Sequence, residues 1–159
     1  MDQSMAFMIS QESMQMMWQL TLAVMLGMFI GIERESHGKP AGLRTYTLVT
    51  LGSTIFTLLS VHGSVDVVGF NAYDPSRIAS QIVVGVGFIG GGLIFLKENA
   101  VYGLTTAAGL WVAAAVGMAV GFEQYVVAVY GTFLVLLILW LFRYVDSRIG
   151  SRKINQKNE

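Results

Sequence analysis

The side chains able to do chemistry form three short groups. Glu33-Arg34-Glu35 closes the first apolar run, and Arg44 opens the second. Asp74-Pro75-Ser76-Arg77 precedes the third run, with Gln81 one turn beyond Arg77. Thr105-Thr106 opens the fourth. Carboxylates, guanidinium groups and hydroxyls in such places can form ion pairs and charge-assisted hydrogen bonds, or bind a ligand or partner. Glu33 and Arg44 end adjacent runs, where an ion pair between neighbouring helices is natural. A solvated loop explains the same residues equally well. Asp74 and Pro75 suit an N-cap and first helical turn. The strip Asp74, Arg77, Gln81 is either functional or a cap beside a snorkelling arginine. Thr105 and Thr106 either cap their helix or hydrogen-bond across helices.

Other chemistries lack candidates. The chain has no cysteine, which excludes disulfides, thiolate metal sites and thiol catalysis. No Ser/His/Asp set, HExxH or carboxylate pair stands at apolar depth, so no enzyme activity and no cofactor is expected. His37 and His62 flank the second run from opposite ends, too far apart for one metal site, and the sequence names no metal. Gly85-Val86-Gly87-Phe88-Ile89-Gly90 matches GxGxxG, but it lies inside an apolar run with Thr105 and Thr106 where an acidic residue belongs. The dinucleotide reading is set aside.

The elements that must position these groups are apolar. The 159 residues are 54% hydrophobic and 13% charged, with mean hydropathy +0.61. A soluble domain carries roughly 25% charged residues, so about half the usual charge is missing. Five runs stand out: Trp18–Ile32, Leu43–Val61, Ile78–Leu96, Leu104–Gly121 and Tyr125–Phe142. At 1.5 Å per residue they reach roughly 22–29 Å, near the hydrocarbon thickness of a bilayer. The fold class expected is an all-α integral membrane protein of about five transmembrane helices. Residues 1–145 would form the membrane domain and 146–159 a short polar cytoplasmic tail without structure of its own. The first helix is expected to stay in the mature protein, because no basic n-region or small-residue cleavage site accompanies it.

Charge sets the orientation. With the N-terminus outside, nine of the ten Lys and Arg residues fall in the cytoplasm and only Arg77 lies outside. The zero net charge and dispersed basic residues exclude a nucleic-acid partner.

Helix packing is expected to rest on small residues. Gly27/Gly31 and Gly117/Gly121 are GxxxG pairs. In the third run Gly85 and Gly92 share one face, while Gly87, Gly90 and Gly91 share the opposite one. That arrangement serves either a helix sandwiched between neighbours or a local break lining a cavity. The third and fourth helices would form the packed centre, and the fifth, bulky on all sides, would face lipid. Self-association as a homodimer or higher homo-oligomer is expected through the small-residue faces.

Four co-linear stretches resemble the MgtC/SapB family: Gly27–Thr45, Leu48–Ser53, Asp74–Gly92 and Gly103–Trp111. The resemblance covers roughly residues 20–135. It implies a bacterial inner-membrane protein linked to magnesium homeostasis, growth at low magnesium and virulence. It also implies a regulator of other membrane machinery, such as an F-type ATP synthase or a cation transporter; the alternative is a small magnesium transporter or channel. Longer members carry a C-terminal ACT-like domain, which this chain is expected to lack. Gly109 departs from the family's GLTTAATLW pattern, which has threonine there.

Overall fold

The computed structural model describes residues 3–62, 76–97 and 99–155. Five helices and one β-hairpin follow in order: α1 Gln3–Ser36, α2 Leu43–His62, α3 Ser76–Gly91, β1 Phe95–Lys97, β2 Ala100–Tyr102, α4 Leu104–Gly121 and α5 Tyr125–Asn155. Three helices are long and apolar enough to cross a membrane: Gln11–Ser36 within α1, α4, and Tyr125–Tyr144 within α5. α2 has 20 residues but carries a row of hydroxyls. The apolar part of α3 is shorter, Ala79–Gly91.

α1, α2 and α4 make the centre, which moves the packed core from the expected third and fourth helices. The reason is steric. A Cβ on Gly27 would come within 2.8 Å of Thr50 Oγ1, and one on Gly31 within 2.7 Å of Leu43 Cα. On α4, a Cβ on Gly117 would strike the Thr50 carbonyl, and one on Gly121 would meet Thr57 Cβ at 2.6 Å. α2 therefore lies in two glycine grooves, one from each neighbour. Its inward face is polar: Thr50, Ser53, Thr54, Thr57 and Ser60 are all buried. The hydroxyls of Thr50, Thr54 and Thr57 donate to carbonyls one turn back at 2.8–3.0 Å, and Thr54 also reaches the Gly117 carbonyl at 2.8 Å. Interhelical hydrogen bonds of this kind contribute about 0.6–2 kcal/mol in a bilayer. Gln19 Nε2 donates to the Val120 carbonyl at 3.1 Å and ties α1 to the far end of α4.

Apolar packing fills the remaining space. Ile30, Tyr46, Ile82, Val86, Leu110 and Ala113 form one buried cluster. Ala23, Leu26, Val116, Val120 and Ala128 form a second. Outside, the large side chains of α5 are exposed, among them Phe133, Leu137, Ile138, Trp140 and Phe142. Polar groups inside and large apolar groups outside is the arrangement that lipid, rather than water, stabilises.

The third run differs most from expectation. α3 stops at Gly91, short of the end of the apolar run at Leu96, where an all-α chain was expected and a local break at the glycines was the alternative. Gly90, Gly91 and Gly92 are consecutive, and each glycine costs a helix about 1 kcal/mol relative to alanine. The chain turns there, with the Leu93 and Ile94 amides donating to the Gly90 and Gly91 carbonyls. It then forms the antiparallel hairpin in which Phe95 pairs with Tyr102, their rings stacked 5.7 Å apart. Asn99, at φ 62°, takes the left-handed conformation of the hairpin turn. Gly103 follows at φ 88°, so close that a Cβ would strike the Leu93 carbonyl.

The glycines of α3 are not buried in a sandwich. Gly85, Gly87 and Gly91 face open space, Gly92 is exposed, and Gly90 meets Ala107 of α4 at ordinary contact distance. α3 packs through Ala79, Ile82 and Val86 instead. At the C-terminus, α5 continues through the expected tail to Asn155.

Candidate functional site

The last turn of α1 carries the densest polar cluster. Arg34 is 3% exposed, and its Nε donates to Glu33 Oε2. His37 Nδ1 lies 2.6 Å from the Glu33 carbonyl oxygen and 3.1 Å from Glu33 Oε1. A carbonyl only accepts, so the Nδ1 hydrogen serves the carbonyl. Glu33 Oε1 is left buried with no hydrogen-bond donor. The contact with Oε1 is therefore an ion pair only while the imidazole is protonated.

The backbone around this pair is fixed by local chemistry. Gly38, at φ 60°, ends α1 in the left-handed conformation. Its N–H bonds the Glu35 carbonyl at 3.0 Å and the Lys39 N–H bonds the Arg34 carbonyl at 3.1 Å, a glycine C-cap. Glu35 then crosses the loop, its Oε2 accepting from the Leu43 N–H at 2.7 Å. That carboxylate satisfies one of the orphan donors at the start of α2 and suits the positive end of the helix. Gly42 leaves room for it: a Cβ there would come within 2.7 Å of Glu35 Oε2.

One turn into α2, the buried Tyr46 hydroxyl donates to the Thr106 carbonyl at 3.1 Å and joins the cluster to α4. Gly109, the departure from the family pattern, sits where a Cβ would strike that same hydroxyl. The capping role weighed for Thr105 and Thr106 is not what the structure shows. The N-cap of α4 is Gly103, with no side-chain cap. Thr106 is buried beneath Tyr46, whereas Thr105 is exposed and lines a cavity of about 740 Å³. Arg34, His37, Lys39 and Arg143 line it on the polar side, and Ile138, Leu139 and Phe142 of α5 form the apolar wall.

The structure thus brings together Glu33, Arg34, Glu35, Thr105 and Thr106. It does not join Arg44 to Glu33: Arg44 is exposed and Glu33 is held by its own neighbour, Arg34. Arg77 is exposed at the opposite end of α3, where its carbonyl accepts from Ser80 Oγ at 2.7 Å. Gln81 lines a separate apolar crevice of about 520 Å³ between α2 and α3. Asp74 lies outside the described residues. Tyr46, His37, Lys39 and Arg143 complete the site without having been singled out for it. Their places at the ends of apolar runs were the only sequence signal. Among the described residues, no group of three or more His, Cys, Asp or Glu side chains is placed to hold a metal ion.

Small-residue helix packing around a buried hydroxyl row, with charge confined to the ends, defines a helical membrane protein. A profile of the MgtC family matches residues 20–148, and the chain belongs to that family. It is 44% identical over 136 residues to YhiD of Escherichia coli K12, covering 84% of this chain and 63% of that protein. It is 39% identical over 140 residues to MgtC of Salmonella typhimurium, covering 88% and 58%. With SapB of Bacillus subtilis it shares 36% over 146 residues, covering 88% and 62%. The chain spans about three-fifths of the length of these relatives. No solved structure matches.

Proposed function

We propose that this chain is a five-span inner-membrane protein, N-terminus outside, that serves as a regulatory or accessory factor in magnesium-linked physiology. Family membership supports the physiological setting, since the YhiD relative bears the name "Putative magnesium transporter YhiD". The observation that carries the regulatory reading is the placement of charge. Glu33, Arg34 and their partners sit at one end of the bundle, and no Asp, Glu, Lys or Arg occurs within residues 45–61, 78–96, 104–121 or 125–142. Coupled ion carriers usually place ionisable groups at mid-depth. The transporter reading has one observation in its favour, the buried hydroxyl row of α2. Those hydroxyls bond carbonyls and pack against Gly117 and Gly121, which leaves them poorly placed to line a path. The open glycine face of α3 is where a second copy fits, and a larger membrane complex is the partner a regulator requires.

Two measurements test this reading. A deletion strain growing at limiting magnesium is restored by the wild-type chain and not by Arg34→Gln. Purified wild-type protein in liposomes takes up no more magnesium than empty liposomes. Saturable uptake would make the transporter reading the better one. For the orientation, a reporter active only in the cytoplasm gives signal when fused after Arg143 and none when fused after Tyr73. The opposite pattern would invert the topology.

A further inference from the structure

Among the described residues, the cavity at the shared end of α1, α4 and α5 carries more positive charge than its neighbours cancel. Arg34, Lys39 and Arg143 bring three cations to its lining. Of the nearby carboxylates, Glu33 is committed to Arg34 and Glu35 to the Leu43 N–H. Lys39 and Arg143 are exposed, and neither has an ion pair among the described residues. Arg34 is buried, yet only its Nε has a partner among those residues. Its remaining N–H groups belong to a side chain that lines the cavity.

α4 adds donors of its own. Its first bonded amide is Ala107, which donates to Gly103, so the N–H groups of Leu104, Thr105 and Thr106 have no acceptor within the helix. With no side-chain cap at Gly103, the positive end of the helix dipole opens beside Thr105. Across the cavity stand Ile138, Leu139 and Phe142. Phe142 is the last apolar residue before Arg143, so the cavity straddles the depth at which hydrocarbon gives way to headgroups. Its volume of about 740 Å³ holds far more than an inorganic anion.

We propose that this cavity binds the phosphate group of an anionic phospholipid. Arg34, Lys39, Arg143 and Thr105 donate to the phosphate oxygens, and the α5 wall covers the first acyl methylenes. Basic pockets between transmembrane helices recognise lipid headgroups in this way. The site needs the membrane placement but is independent of whether the chain regulates or carries magnesium, so its test uses binding alone.

The purified full chain is placed in phosphatidylcholine nanodiscs and titrated with phosphatidylglycerol. Retained lipid is read by native mass spectrometry and stability by melting temperature. A parallel arm replaces phosphatidylglycerol with inorganic phosphate. The wild-type chain is expected to retain phosphatidylglycerol in preference to phosphatidylcholine. Retention should fall roughly fivefold for each cation removed in Lys39→Gln and Arg143→Gln, while melting in pure phosphatidylcholine is unchanged. Should the chain carrying both Lys39→Gln and Arg143→Gln melt early, Arg143→Gln alone and Thr105→Val carry the same comparison. Binding of inorganic phosphate that the variants lose, with indifference to phosphatidylglycerol, would keep the phosphate site and overturn lipid as its source. Equal retention by wild type and folded variants, or no preference for either phosphate source, overturns the proposal.

Discussion

Gly117→Leu is expected to cost the bundle at least about 3 kcal/mol, whereas Gly87→Leu leaves the melting of the isolated chain unchanged. The two glycines look alike in sequence, each one of several small residues in an apolar run. Their surroundings differ. A Cβ on Gly117 would strike the Thr50 carbonyl and lie 3.0 Å from Ser53 Cβ. Both α2 contacts are fixed, one by the backbone and one at the first side-chain carbon, so the helices must separate. Separation would also break the 2.8 Å bond from Thr54 to the Gly117 carbonyl, and over-packing alone costs about 1–3 kcal/mol. Gly87 has nothing within 4 Å of its Cβ position, so a leucine there meets only lipid or a second copy. Thermal melts of the purified variants in mild detergent decide the matter. If Gly87→Leu melts as low as Gly117→Leu, α3 is packed within the chain and the placement of the centre is wrong.

That contrast shows which parts of the fold are legible in sequence. Hydropathy marks where lipid contact begins and ends. It placed Leu104–Gly121 and the start of α2 at Leu43, where the helices are found. Hydropathy does not mark where a helix ends. α5 continues past Phe142 to Asn155 because Arg and Lys are good helix formers outside the hydrocarbon. Conversely, apolar residues 93–96 are not helical, because three consecutive glycines release the backbone into a turn that the Phe95–Tyr102 pair closes as a hairpin.

The candidate site was half legible. Residue type singled out Glu33, Arg34 and Glu35, since charges at the end of an apolar run need partners. The partners themselves depend on rotation about the helix axis. Glu33 is held by the adjacent Arg34 rather than by Arg44, and Glu35 reaches the first amide of α2. Arg143 joins from more than a hundred residues away only because α5 lies beside the cavity.

Arg34→Gln is expected to destabilise the folded chain by about 3–5 kcal/mol, while Arg44→Gln stays within about 0.5 kcal/mol of wild type. Arg34 and Glu33 have side chains only 4% and 15% exposed, and the Glu33 Oε1 already lacks a donor. Removing the guanidinium strands a carboxylate with neither oxygen paired by Arg34, and breaking one half of a buried ion pair costs several kcal/mol. Exposed Arg44, with no ion pair among the described residues, has no such debt. The double variant Glu33→Gln with Arg34→Gln separates charge from packing. Both charges are then gone, and two neutral amides are far cheaper to bury than one unpaired carboxylate. The double variant should therefore be more stable than Arg34→Gln alone, with a coupling of about 1–3 kcal/mol across the cycle. Reversible unfolding of the four chains in mixed micelles measures that coupling. Strict additivity, or an Arg34→Gln chain as stable as wild type, would mean that the pair does not hold the end of α1 and that the buried Arg34 is kept for its cavity alone.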